Sequence, residues 1–236
     1  MKKKKIDLSF TSVTRLILVF VIPILAYSVG LFFPLLFLYI VMKLLVFHFL
    51  INLFIFSIAL VISYLILVIS LVFSSAFFIN IFKLKYKEGE YEKTLEEKNV
   101  FKYIVFLALY YPVYKFINVF VLPPVKSFYL SLIGAKIGKN VFLAGEEWIS
   151  DPCMIEIGDN TLIGGKSMVL GHIGEEKLII KKTKIGRNCL IGGEAFIMPG
   201  CIIEDNVIVG AKSFVLKDSR LKRNSLYAGI PVKRIK

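Results

Sequence analysis

Across 236 residues the chain contains only two histidines, three cysteines and one tryptophan. Cys153, Cys189 and Cys201 form an odd set without CxxC spacing, which excludes a disulfide framework and a zinc knuckle and suits a reducing compartment. His172 is the one histidine outside an apolar tract, so the chain offers no histidine cluster and no bound metal is expected. Charge is missing over a long stretch: from Leu16 to Phe82 the only charged side chain is Lys43. An aromatic-interleaved basic stripe is also lacking. The formal net charge is +13, yet its lysines and arginines are spread through the leader MKKKK, the segment KLKYKEGEYEK and single sites in the C-terminal half. That spread fits membrane topology and anionic lipid, and no nucleic-acid partner is expected.

What the chain has in excess is apolar. Hydrophobic residues make up 57% and the mean hydropathy is +0.74, too apolar for an ordinary soluble domain. A helix needs about 20 apolar residues to cross a bilayer, and residues 1–82 hold two such spans, at 15–42 and 52–80. Lys2 to Lys5 and Arg15 flank the start, while Lys83, Lys85 and Lys87 flank the end. The positive-inside rule therefore predicts a multi-pass cell-membrane protein with its N-terminus and its C-terminal domain in the cytoplasm. Pro23, Gly30 and Pro34 are expected to kink the first span. The apolar run is too long for a cleaved signal peptide, and no small-residue cleavage site follows it.

Residues 83–133 read as a cytoplasmic linker followed by interfacial helices. The stretch from Asn99 to Ile133 is rich in aromatics, broken by Pro112, Pro123 and Pro124, and interrupted by Lys102, Lys115 and Lys126. Helices lying in the interface, with Tyr and Phe at headgroup depth, fit this pattern better than a third span.

From Lys184 the chain divides into hexads: KIGRNC, LIGGEA, FIMPGC, IIEDNV, IVGAKS, FVLKDS, RLKRNS. Their second positions are Ile185, Ile191, Ile197, Ile203, Val209, Val215 and Leu221. The same frame runs earlier through KIGKNV, FLAGEE and WISDPC and then, after a two-residue insertion, through EIGDNT, LIGGKS and MVLGHI. Neither a helix nor a flat sheet repeats every six residues. A triangular parallel β-helix does, with one short strand per hexad and three per coil. The aliphatic points inward and the coils stack at about 4.8 Å. The Gly- or Asn-containing positions are expected to turn the corners, where small side chains or φ above zero are needed, and this accounts for Gly134, Gly138, Gly158, Gly164, Gly186, Gly192 and Gly210. The frame fails between Val169 and Ile179, and His172 lies at the start of that lapse.

At IGDNTLIGG, IGRNCLIGGEAFIMPGCIIEDNVIVGAKS and the closing LYAGIPVKRIK the sequence resembles the hexapeptide-repeat acyltransferases. The segments KLKYKEGEYEK and SFYLSLIGAKIGKNVFL also resemble the membrane-tethered hexapeptide modules at the end of some nonribosomal peptide synthetases. The resemblance implies a fold of transmembrane and interfacial α-helices followed, over 134–236, by an all-β left-handed parallel β-helix that assembles as a homotrimer. It implies acetyl-coenzyme A or another acyl-coenzyme A as co-substrate, and a catalytic histidine that precedes a loop interrupting the coils, the position of His172.

Acyl transfer from a thioester requires the acceptor to lose a proton as it attacks, and neutral imidazole, with an ordinary pKa of about 6.5, takes it near neutral pH. Asp151, in WISDPCMIEIG, falls close to the supporting carboxylate of the acetyltransferases. Glu146, Glu147 or a backbone carbonyl are alternatives for orienting the imidazole. The resemblance also places Gly193 and Ala211 beside the pantetheine and Lys217 and Lys236 near the nucleotide phosphates. Leu190 stands where an aromatic is usual in the family. Glu146, Glu147 and Trp148 are candidates for acceptor contact, Trp148 equally as a half-buried aromatic of a prism face.

The leading functional expectation is a membrane-bound O- or N-acyltransferase acting at the cytoplasmic face on a lipid-linked sugar or other envelope precursor, with His172 as general base. A bilayer-held acceptor has a raised effective concentration at such a site. Two alternatives are a non-enzymatic trimeric membrane scaffold and acyl or peptidyl transfer on a carrier-bound chain. A metal-dependent lyase on the same prism needs three histidines and is excluded.

Overall fold

The computed structural model describes residues 10–46, 48–120 and 123–236; the leader lysines Lys2 to Lys5 lie outside them. The chain separates into a helical unit, residues 1–84 with 104–116, and a prism unit, residues 85–103 with 117–236.

In the helical unit, α1 (Phe10–Leu44) and α2 (Phe49–Ile81) cover the two apolar stretches. Where helices are apolar on every side, small residues and side-chain hydrogen bonds set how they meet. Gly30 lets α2 approach so closely that a Cβ there would lie 2.5 Å from Leu71 Cδ2. Ser74 donates to the Ala26 carbonyl at 2.6 Å and Ser63 to that of Pro34 at 3.4 Å.

A third helix, α3 (Lys98–Val119), contains Pro112 and runs unbroken for 22 residues. Its best window has a mean hydropathy of 1.4 against 2.6 and 2.8 for α1 and α2, so all three are long and apolar enough to cross a membrane. The proline is accommodated because its missing N–H orphans the Ala108 carbonyl, and the Tyr27 hydroxyl donates to that oxygen instead. Tyr64 likewise donates to the Phe116 carbonyl, in the last turn, at 2.5 Å.

In the prism unit a short helix, α4 (Pro123–Leu132), packs on the first coil. The hexads then form three parallel sheets. The first face holds strands Lys136–Ile137, Ile155–Ile157, Thr183–Ile185, Ile202–Ile203 and Arg220–Leu221. The second holds Phe142–Leu143, Leu162–Ile163, Leu190–Ile191, Ile208–Val209 and Leu226–Gly229, extended by antiparallel Val232–Arg234. The third holds Trp148–Ile149, Met168–Val169, Phe196–Ile197 and Phe214–Val215. This is the repeated-strand architecture of a hexapeptide-repeat β-helix, preceded by apolar helices. The in-phase aliphatics fill its axis: Leu143, Ile149, Ile163, Val169, Ile191, Ile197, Val209 and Val215 are fully buried.

At the corners the two requirements, small side chains and positive φ, fall on different residues. Of the seven repeat glycines, only Gly134 has a positive φ. The left-handed turns fall on Asn140, Glu146, Asn160, Lys166, Asn188, Glu194, Asn206, Lys212, Asp218 and Asn224. Most of these glycines are needed because the next coil is so near: a Cβ on Gly158 would lie 2.7 Å from Arg187 N, and on Gly192 2.3 Å from Ala211 N. At one corner the five asparagines stack into a ladder, each side-chain amide donating to the next, from Asn140 to Asn160 at 3.1 Å through to Asn206 to Asn224 at 2.9 Å.

The candidate active site at the break in the prism

The repeat breaks where two local devices coincide. The two-residue insertion produces a 3-10 turn, Pro152–Met154, that leaves Asp151 at its N-cap. After Leu170 the chain leaves the prism as an antiparallel hairpin, His172–Gly174 against Leu178–Ile180, and returns through Lys181, whose N–H donates to the Gly171 carbonyl at 2.8 Å. The loop expected here is thus an ordered hairpin. A third strand, Gly89–Tyr91, pairs antiparallel along it.

These devices bring the imidazole and carboxylate together. His172 Nδ1 lies 2.7 Å from Asp151 Oδ2. Asp151 is the carboxylate that meets the ring; Glu146 stands on an exposed corner 3.7 Å from Lys166. Glu147 is wholly buried, ion-paired to Lys126 at 2.9 Å and accepting from Gly145 N at 2.6 Å. Gly171 permits the approach, since a Cβ there would lie 2.7 Å from the Cβ atoms of both Asp151 and Met154.

Asp151 itself is fully buried and collects four donors. Besides His172 these are Tyr86 Oη at 2.6 Å on Oδ1, Gly171 N at 3.0 Å on Oδ2, and the Ser150 hydroxyl on Oδ2. Burial alone would raise its pKa, but the hydrogen bond and charge of His172, joined by Ser150 and Tyr86, hold it below the ordinary carboxylate value. Burial, and then the Asp151 charge, push the Tyr86 phenol well above its ordinary value, so it remains a donor. An ionised Asp151 accepts from His172 Nδ1–H, which leaves the lone pair on Nε2. The ring is about a quarter exposed, with 23% of its side chain accessible, and Tyr103 Oη lies 2.9 Å from Nε2. A neutral imidazole fixed in this tautomer is equipped to take a proton from a group that approaches Nε2.

The other expected positions distribute over the prism. Gly193 and Ala211 sit one coil apart at the corner between the second and third faces, with Lys212 N donating to the Gly193 carbonyl at 2.9 Å. A Cβ on Gly193 would meet nothing nearer than Gly165 O at 3.3 Å, so small residues line that column. Lys217 follows the third face and pairs with Glu175 at the hairpin tip at 2.5 Å. Lys236 accepts through its carbonyl from Leu226 N at 3.0 Å. Trp148 points outward on the third face in register with Met168, half-buried. Among the described residues no cluster of His, Cys, Asp or Glu is arranged to hold a metal ion.

Tyr86, Tyr103 and Ser150 were not anticipated. A signal existed for Tyr86: in KLKYK, Leu84 and Tyr86 alternate with lysines and both are buried, the period-two pattern of an extended segment with one covered side. Tyr103 sits among many aromatics of α3, where nothing local distinguishes it.

Two family profiles match inside the prism. One, described as bacterial transferase hexapeptide (six repeats), covers residues 182–217, and another, hexapeptide repeat of succinyl-transferase, covers 154–176. Among solved structures, the chain is similar to a maltose O-acetyltransferase from Clostridium difficile 630, at 23% identity over 48% of this chain and 74% of that one, TM-score 0.41. It is similar to a galactoside acetyltransferase in complex with coenzyme A, at 26% identity over 48% and 70%, TM-score 0.39. A soybean serine acetyltransferase aligns at 20% identity over 76% of this chain and 61% of that one, TM-score 0.42. No curated protein sequence matches the chain.

Proposed function

We propose, from the match of residues 182–217 to the bacterial transferase hexapeptide profile, that the chain is a membrane-bound acyltransferase. It moves an acyl group, acetyl in the first instance, from coenzyme A to an acceptor held at the cytoplasmic face, a lipid-linked sugar or other envelope precursor. The observation that carries this reading is the bond of 2.7 Å between His172 Nδ1 and buried Asp151 at the break in the repeat. His172 acts as general base through Nε2, and Asp151 fixes its tautomer and stabilises the imidazolium that forms.

Coenzyme A would lie along the corner of Gly193 and Ala211, where side chains are small, with Lys217 and Lys236 toward its phosphates. The active assembly is a homotrimer. An outward stripe on the second face supports this: Phe142, Leu162, Leu190 and Ile208 stand in register on successive coils and all four are exposed, a contiguous apolar surface of the kind that marks an interface.

We read α1 and α2 as the two membrane spans. Lys102 and Lys115 interrupt the apolar run of α3, which favours keeping α3 on one side. That arrangement leaves the prism in the cytoplasm, the compartment that contains coenzyme A.

The test is His172→Ala in the full chain. Loss of acetyl-coenzyme A-dependent acylation by a factor of about 100 or more is expected, with complex assembly unchanged; mass spectrometry of envelope lipids and glycans identifies the acyl mass that disappears. Retained turnover would exclude His172 as the base, and no binding of acetyl-coenzyme A would favour a scaffold.

A further inference from the structure

The proton-accepting nitrogen of His172 is already engaged. Nδ1–H is committed to Asp151, so Nε2 carries one lone pair, and the Tyr103 phenol stands 2.9 Å from it as a donor. The two rings meet edge to face with centroids 4.8 Å apart. A hydroxyl donating to Nε2 at this distance has the geometry required of an acceptor about to lose its proton. Tyr103 is itself braced by an edge contact with Tyr86, centroids 5.6 Å apart.

The charges around the site bear on what can replace the phenol. An amine acceptor arrives mostly as an ammonium at neutral pH and needs an anion beside it. Asp151 is buried and already receives four donors, about the capacity of a carboxylate. Of the carboxylates on the neighbouring hairpin and beside its third strand, Glu92 pairs with Lys177 at 3.0 Å, Glu88 with Lys182 at 3.7 Å and Glu175 with Lys217 at 2.5 Å, and Glu176 is exposed at the hairpin tip. Glu90 lies within electrostatic reach of Lys177 and Lys217.

We propose that Tyr103 holds the acceptor's place on His172, and that the group which displaces it is a neutral hydroxyl, so the reaction is O-acylation and its product an ester. This rests on the acyltransferase reading. In the step, the acceptor oxygen bonds to the thioester carbonyl carbon as its proton passes to Nε2. The tetrahedral intermediate collapses with cleavage of the carbon–sulfur bond, and the proton on Nε2 goes to the departing coenzyme A sulfur. Tyr103 is the specificity-determining residue, since an acceptor enters only if it offers the same hydrogen bond.

The experiment uses the full chain in lipid nanodiscs with radiolabelled acetyl-coenzyme A and a total lipid extract of the expressing cells. The label transferred by the unaltered protein should be released by alkaline hydroxylamine, as an ester is. Tyr103→Phe, which removes only the phenolic oxygen, should lower the acceptor KM by about two- to tenfold, the span of one neutral hydrogen bond, with kcat held within about twofold. Hydroxylamine-resistant label would mean an amide and overturn the proposal. A kcat loss of about 100-fold in Tyr103→Phe would make the phenol a proton relay and overturn it also. No release of coenzyme A by the unaltered protein would bring down the acyltransferase reading itself, an outcome distinct from either.

Discussion

At the scale of the residue, the site is a carboxylate that stays ionised in a buried place because its donors outweigh its desolvation. Asp151→Asn removes the charge and keeps the shape. The amide cannot hold His172 in the Nδ1–H tautomer as an ionised carboxylate does, and loss of this orientation costs on the order of a thousandfold or more in kcat in comparable triads. We expect that loss here, with the donor KM little changed, measured as coenzyme A release. The same residue makes a stability prediction. Its folded pKa is depressed, so its contribution is complete above the ordinary carboxylate value near 3.9 and disappears as pH falls through the lower folded value. The melting temperature of Asp151→Asn should therefore fall below that of the unaltered chain at pH 7, and the gap should close as the pH is taken below about 3.9. An equal gap at both ends of the range would show that the charge of Asp151 does not stabilise the fold.

At the scale of the element, one corner of the prism stands on asparagine. Asn188 has φ 53°, a conformation that asparagine tolerates better than most residues, and its amide bridges Asn160 at 3.3 Å and Asn206 at 3.2 Å. Asn188→Ala meets both losses and should destabilise the chain by about 1–2 kcal/mol, whereas Asn188→Gly relieves the backbone term and should cost less. Thermal melts of the two variants check the order; alanine at or above glycine would refute the account. The inward aliphatics of this prism were legible because six-residue spacing is local, and so was the lapse at His172. The cause of the glycines was not: Gly158 and Gly192 answer to the neighbouring coil, a contact that hexad counting does not see. The three-stranded excursion was equally hidden, since Gly89–Tyr91 pairs with Leu178–Ile180 from a segment far away in the chain. That long-range return also explains why Asp151 and His172 were legible as candidates while Tyr86 and Tyr103, delivered by the same stretch, were not.

At the scale of the whole molecule, the prism has two kinds of outer wall. The first face presents Lys136, Glu156, Lys184 and Arg220 in register with one another and with Ile202, a charged surface cross-linked by Glu156, which lies 3.0 Å from Lys136 and 3.8 Å from Lys184. The second presents the apolar stripe of Phe142, Leu162, Leu190 and Ile208. Water favours the first and penalises the second, by about 25 cal/mol for each Å² of apolar surface left exposed, so the second is the face that self-association would cover. Placing a carboxylate in the middle of that stripe leaves the inward Ile191 and Val209 untouched and sets like charges against one another across the interface. Leu190→Glu combined with Ile208→Glu should therefore yield a folded monomer in place of the trimer proposed for the unaltered chain, read as mass by light scattering in detergent with the detergent contribution subtracted. Activity should fall with the assembly if a neighbouring prism walls the site. A variant that remained trimeric would move the interface to another face, and a monomer with full activity would mean that each prism carries a complete site of its own.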